Sequence, residues 1–131
     1  MQLTKNFHID EFKCRDGSPV PDEYIENVKL LAENLQKLRD RIGIPIKITS
    51  GYRSLEYNTK IDGAKKSQHL LAKAGDLIVK GITTTELRDT ILQLIEEGEM
   101  MQGGVGLYRH FVHYDVRGFK RRWYGKGMKP Q

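Results

Sequence analysis

A run of apolar residues at helical spacing, Ile25, Val28, Leu31, Leu35, Leu38 and Ile42, constrains the fold of this chain more than any other feature. Residues three and four apart share one face of a helix, so this segment must lay that face on a core. The helix is expected to open near Asp22, after Pro21; Gly43 supplies a stop, with Pro45 behind it. The period then changes. Residues 45–50 (Pro-Ile-Lys-Ile-Thr-Ser) alternate apolar and polar side chains and read as a strand.

The rest of the chain continues this mixture. Residues 7–20 read as an irregular opening with a turn at Asp16-Gly17. Ser54 is placed to cap a short helix through Asn58, residues 61–68 read as a loop, and residues 74–79 as a second strand. Thr83 and Glu86 have capping-box spacing, and the helix they open carries Leu87, Ile91, Leu94 and Ile95 on one face before Gly98. Strands are expected at 105–108, 111–116 and 121–124. Helices and hairpins without a βαβ rhythm imply an α+β domain, a small antiparallel sheet with flanking helices. The 131 residues suit one domain, with a core over about 7–123 and a basic tail over 124–131.

Composition narrows the class. Hydrophobic residues make up 38% and charged residues 30%, which fits a globular chain and excludes a disordered one. No apolar run reaches the ~20 residues that cross a bilayer, so membrane insertion is not expected. The first seven residues lack the apolar stretch of a signal peptide; synthesis in the cytoplasm is expected, with action elsewhere only after release. Cys14 is the only cysteine, which rules out an internal disulfide and a cysteine metal cluster and leaves Cys14 as a small semi-buried hydrophobe. The formal net charge of +5 favours polyanionic partners, and Lys120, Arg121, Arg122, Lys126 and Lys129 concentrate it near one end. Cations and acids interleave elsewhere and no nucleic-acid motif is present, so nucleic acid is not expected as a partner.

Two stretches carry chemistry. One is Ser67-Gln68-His69 with Asp76 seven residues after the histidine; the other is His113-Tyr114-Asp115-Val116-Arg117. Two imidazoles and a carboxylate from His69, Asp76 and His113 form a three-donor set that leaves one position on a metal ion open. Alternation along the last strand puts His113, Asp115 and Arg117 on one face, where they would be costly in an apolar core. That face therefore reads as a polar cleft. On spacing alone, a structural histidine remains the commoner explanation. Tyr52 and Tyr108 fit either cleft or core; Trp123 reads as a packing residue and His8 as a surface or turn histidine.

The order of the motifs says more than any one of them. Ser50-Gly51-Tyr52-Arg53-Ser54, Asn58, Gly63-Ala64, Ser67-Gln68-His69 through Asp76, Gly104-Val105-Gly106-Leu107-Tyr108 and His113-Tyr114-Asp115-Val116-Arg117-Gly118 follow in series. The series resembles the zinc D-Ala-D-Ala carboxypeptidases and peptidoglycan endopeptidases that share a fold with the Hedgehog signalling domain, over about residues 7–123. The resemblance implies one zinc ion held by His69, Asp76 and His113. It implies Arg53 beside the metal, contacting substrate or the developing oxyanion, and Ser67 as a hydrogen-bond partner of substrate. Many relatives carry Glu or Asp three residues before the last histidine as general base; here that position is His110. Strand parity points His110 away from His113, whereas Asp115 shares its face, so both stand as candidate bases, with Asp115 alternatively orienting a ligand. Lys73 stands where relatives commonly have a small residue.

The activity so implied is zinc-dependent hydrolysis of an amide bond in a peptidoglycan stem peptide, by a D,D-carboxypeptidase or an endopeptidase. The expected partner is peptidoglycan, the expected state a monomer, and phage or prophage lysis one route to the wall. A non-catalytic zinc-binding or wall-binding domain of the same fold is the competing expectation.

Overall fold

The computed structural model describes residues 1–128. A 3₁₀ turn at Asp22–Tyr24 runs into α1 (Ile25–Ile42), and Gly43 ends it in a left-handed conformation, its N–H donating to the Arg39 carbonyl at 2.9 Å. β1 (Ile46–Ser50) and α2 (Leu55–Lys60) follow, with Ser54 Oγ accepting from the Tyr57 N–H at 3.1 Å as the N-cap. A 3₁₀ turn at Gln68–Leu71 leads to β2 (Ala74–Val79). In α3 (Thr84–Glu96) both bonds of the expected capping box form: Glu86 N–H to Thr83 Oγ1 at 3.1 Å and Thr83 N–H to Glu86 Oε1 at 3.0 Å. β3 (Gly104–Leu107), β4 (Val112–Asp115) and β5 (Arg121–Tyr124) complete the sheet.

The fold is α+β, with a five-stranded sheet in the order β1-β2-β4-β3-β5. The first four strands pair antiparallel, as expected, while β5 pairs parallel to β3 and makes the sheet mixed. The segment read as a tail from 124 begins inside β5: Gly125 N–H donates to the Leu107 carbonyl, and Met128 packs against the core. Lys129 lies outside the described residues. No helix among the described residues is long and apolar enough to cross a membrane.

One face of the sheet carries the helices. Val28, Leu31, Leu35 and Leu38 of α1, Leu87, Ile91 and Leu94 of α3, and Leu77, Val112 and Tyr114 of the strands are buried in one cluster. Leu31 and Leu35 of α1 lie within reach of Gly75 on β2. Alternation then sends Asp76 of β2 and His113 of β4 to the opposite face. Cys14 is buried rather than half-buried, and its Sγ receives the Ser54 N–H at 3.5 Å.

Candidate metal centre

Strand register builds the centre. Asp76 of β2 stands directly opposite His113 of β4, His113 opposite Gly106 of β3, and Gly106 opposite Trp123 of β5. Directly paired residues point to the same face, so one row across the sheet lays out the site. A bulge between Ile48 and Ser50 brings Ser50 into this row, opposite Asp76. Without the extra residue Ser50 would share the core face of Ile48.

His69 comes from outside the sheet. Its 3₁₀ turn is capped by Ser67, whose Oγ accepts the His69 N–H at 3.2 Å. The turn is locked to the chain after β1 by two bonds: Arg53 N–H donates to the His69 carbonyl at 3.0 Å, and His69 Nδ1–H donates to the Gly51 carbonyl at 2.7 Å.

The second bond fixes the tautomer of His69, because a carbonyl only accepts. His69 Nε2 is left as a lone pair, 3.2 Å from Asp76 Oδ1. His113 is fixed in the opposite sense. Its Nε2–H donates to the Asp115 carboxylate at 2.7 Å, leaving Nδ1 as a lone pair 3.3 Å from the same Asp76 oxygen. Three electron-rich atoms face one another with both ring protons used elsewhere. His69, Asp76 and His113 each offer one donor atom, all within 4.8 Å of one another, and all three residues are buried. A tetrahedral ion with bonds of about 2.1 Å sets its donors roughly 3.4 Å apart, so the two shortest separations fit a metal without rearrangement.

The surroundings reinforce this. Burial works against charge on Asp76, but the His113 and His69 rings beside it outweigh burial and hold the carboxyl well below the usual carboxylate range. Burial pushes His69 down, partly offset by Asp76. Burial also opposes charge on His113, yet the bond to Asp115 and the nearby Asp76 carboxylate prevail and raise its pKa. In both directions the cluster favours a positive charge beside Asp76 and a neutral His69.

Asp115 is fully buried and fully engaged. One oxygen accepts from the Gly104 N–H (2.9 Å), the Arg117 N–H (3.1 Å) and Arg117 Nε (2.9 Å); the other accepts from His113 Nε2 and Arg117 Nη2, both at 2.7 Å. Burial opposes its charge, but His113 and Arg117 hold it well below the usual range. A carboxylate so committed has no lone pair left for a water. Room for it comes from Gly104, where a Cβ would collide with the Asp115 carboxylate.

Arg53 lines the cleft. Its Nε donates to Ser50 Oγ (3.2 Å), Nη1 to Asn58 Oδ1 (3.3 Å) and Nη2 to Asp76 Oδ2 (3.4 Å). Asn58 is buried and anchored by its own bond to the Ala64 carbonyl at 2.9 Å. The cleft encloses about 630 Å³, and Ser67, Tyr108, Phe111, Arg117, Arg121 and Trp123 also line it. His110 is exposed in the turn between β3 and β4; it does not line the cleft, although Tyr108 and Phe111 on either side of it do. Lys73 is half-buried outside the cleft lining, and Tyr52 packs against Tyr24 and the core. His8 caps the 3₁₀ turn at Ile9–Phe12.

Trp123, read as a packing residue, packs within the site: its ring stands 4.9 Å from that of His113, and its Nε1 donates to Tyr108 Oη at 2.9 Å. Gly106 makes this possible, since a Cβ there would collide with the indole. No local pattern announces this, because the placement depends on a parallel pairing of β5 with β3. Ser50 was missed for a similar reason, the bulge in β1.

The sequence profile of the family described as Peptidase M15 matches residues 5–115. The chain belongs to the M15 peptidase family. The protein named peptidoglycan L,D-endopeptidase MepK in Escherichia coli K12 is 34% identical to it over 102 residues, covering 71% of this chain and 52% of the relative. The protein of the same name from Shigella flexneri gives the same values. The chain thus spans about half the length of the curated relatives it matches. M15 peptidases are metallopeptidases, and the cluster of His69, Asp76 and His113 could hold their metal.

Proposed function

We propose that this protein is a zinc-dependent peptidase that hydrolyses an amide bond in peptidoglycan stem peptides. The observation that carries the reading is the convergence of His69 Nε2, Asp76 Oδ1 and His113 Nδ1, with each second ring nitrogen tied to an oxygen acceptor, in the wall of an open cleft. Such outer partners fix ring orientation and raise ligand basicity. Two nitrogens and one oxygen suit zinc, with one position left for water. Membership of the M15 family supports hydrolysis, and similarity to proteins named peptidoglycan L,D-endopeptidase supports the substrate and an internal bond.

When bound, zinc supplies Lewis acidity toward a water molecule and toward the scissile carbonyl. The protein's own groups do the rest. Gly51 and Asp115 hold the two imidazoles in the ligating tautomer. Arg53 keeps N–H groups beyond those given to Ser50, Asn58 and Asp76, and these stabilise the oxyanion. Ser67 accepts from His69 and keeps its hydroxyl proton to donate to substrate. Asp115 acts as a positioning residue for His113. The proton is carried by His110, whose exposed turn lies between two cleft-lining aromatics.

One observation favours a second reading, a zinc-binding domain without catalysis: Asp76 is the only acid among the cleft-lining residues, and it is already paired. Mass spectrometry of muropeptides after incubation with the zinc-loaded protein separates the two. New cleavage products are expected, and their masses distinguish a D,D from an L,D bond and a terminal from an internal one. Intact muropeptides with zinc retained would overturn the hydrolase and leave the binding domain.

A further inference from the structure

The cleft carries more positive charge than the chemistry at its centre uses. Arg53, Lys66, Arg117 and Arg121 line it, against the single carboxylate of Asp76. Arg53 is committed to Asp76 and its neighbours, and Arg117 gives Nε and Nη2 to Asp115. Arg121 has no such role. Among the described residues its side chain makes no hydrogen bond or ion pair; only its backbone is engaged, the N–H donating to the Gly103 carbonyl and the carbonyl accepting from Arg122.

Its place is set by the sheet. Arg121 pairs with Gly104 as Trp123 pairs with Gly106, so Arg121 lies two residues from Trp123 on the same strand and face. Two residues of strand span about 7 Å. Trp123 touches the ring of His113, so Arg121 stands roughly two residues of extended peptide beyond the metal row. Arg117 reaches the same spot from β4: a Cβ on Gly104 would come within 3.0 Å of its Nε. Its guanidinium also lies 5.4 Å from the Trp123 ring centre, and its Nη1 is not used on Asp115. Arg117 and the strand partner of Gly104, Arg121, thus line the same cleft, which also holds an aromatic wall of Tyr108, Phe111 and Trp123.

We propose that Arg121, backed by Arg117, forms a carboxylate subsite that recognises a negative charge within about two residues of the scissile bond. The chemistry favours arginine here over Lys66. A guanidinium fork matches a carboxylate with two parallel bonds, and a strand holds it more firmly than the turn that carries Lys66. The carboxylate can come from the chain terminus of the substrate or from the side chain of a neighbouring residue. The inference rests on the peptidase reading for the nature of the ligand.

The test is titration calorimetry at low ionic strength on chelator-treated protein, which cannot consume the probe. The probes are a synthetic peptide ending in D-alanine with one side-chain carboxylate, the same peptide amidated at its terminus, and the same peptide amidated at its side chain. Wild type should bind the parent at least about tenfold more tightly than one of the two amidated forms, and the form that suffers names the source of the charge. Arg121→Gln should cut that ratio to about twofold or less, and Arg121→Lys should recover part of it. Equal binding of all three probes by wild type would overturn the subsite, and so would an undiminished ratio in Arg121→Gln. Muropeptide cleavage is read separately: selectivity without cleavage sinks the hydrolase and keeps the subsite, and cleavage without selectivity does the reverse.

Discussion

Asp115 is the residue whose role the structure defines most sharply. It shares a face with His113, which made it a candidate base, yet five hydrogen bonds and complete burial leave it nothing with which to take a proton. Its effect passes through His113. Asp115→Asn should keep the fold but weaken zinc binding by about 10–100-fold, read by competition with a chromophoric chelator, because the imidazole loses its charged anchor. His110 makes the contrasting case. His110→Ala should retain zinc while kcat falls by about 10²–10⁴. An unaltered kcat would remove His110 from the mechanism.

The elements show what was legible and what was not. The face of α1, the cap of α3, and the bounds of β2 and β5 could be read from period and punctuation, because each is fixed by neighbours in sequence. The ligand residues were recognisable from motif order and from the alternation of His113 and Asp115. The partners that finish the site were not. Ser50 reaches the polar face through a bulge, Trp123 through a parallel pairing, and Gly51 through a backbone carbonyl that no side-chain pattern records. Each depends on a contact between segments far apart in the chain. Gly106→Ala tests the least legible of them. A methyl there forces the indole off His113; the expected cost is about 1–3 kcal/mol in urea unfolding, with a shift in the fluorescence of the only tryptophan. Wild-type stability and emission in this variant would show that Trp123 has another place to rest.

For the molecule as a whole, a metal held at the cluster would couple stability to metal content. A ligand that binds only the folded state adds about 2.7 kcal/mol when present at a hundred times its Kd. Chelation should therefore lower the Tm by several degrees and zinc should restore it, whereas an unmoved Tm would argue against a tight site. Acid should act through the same cluster. The folded-state pKa values of Asp76 and Asp115 are depressed, so the stability they contribute is present above about pH 4, the unfolded value, and is lost as pH falls toward the folded ones. Metal-free wild type should lose stability steadily below about pH 4 in urea titrations, and Asp115→Asn should flatten that decline.

The cross-strand row from Ser50 to Trp123 has one more consequence. The alternation that buries Leu77 and Tyr114 beneath the helices is the alternation that lifts Asp76 and His113 to the open side. A slip of one residue between β2 and β4 would expose the apolar layer and sink the donors in a single move. Misfolded chains of this kind would be blind to metal, so zinc uptake during refolding should serve as a direct count of correctly registered molecules.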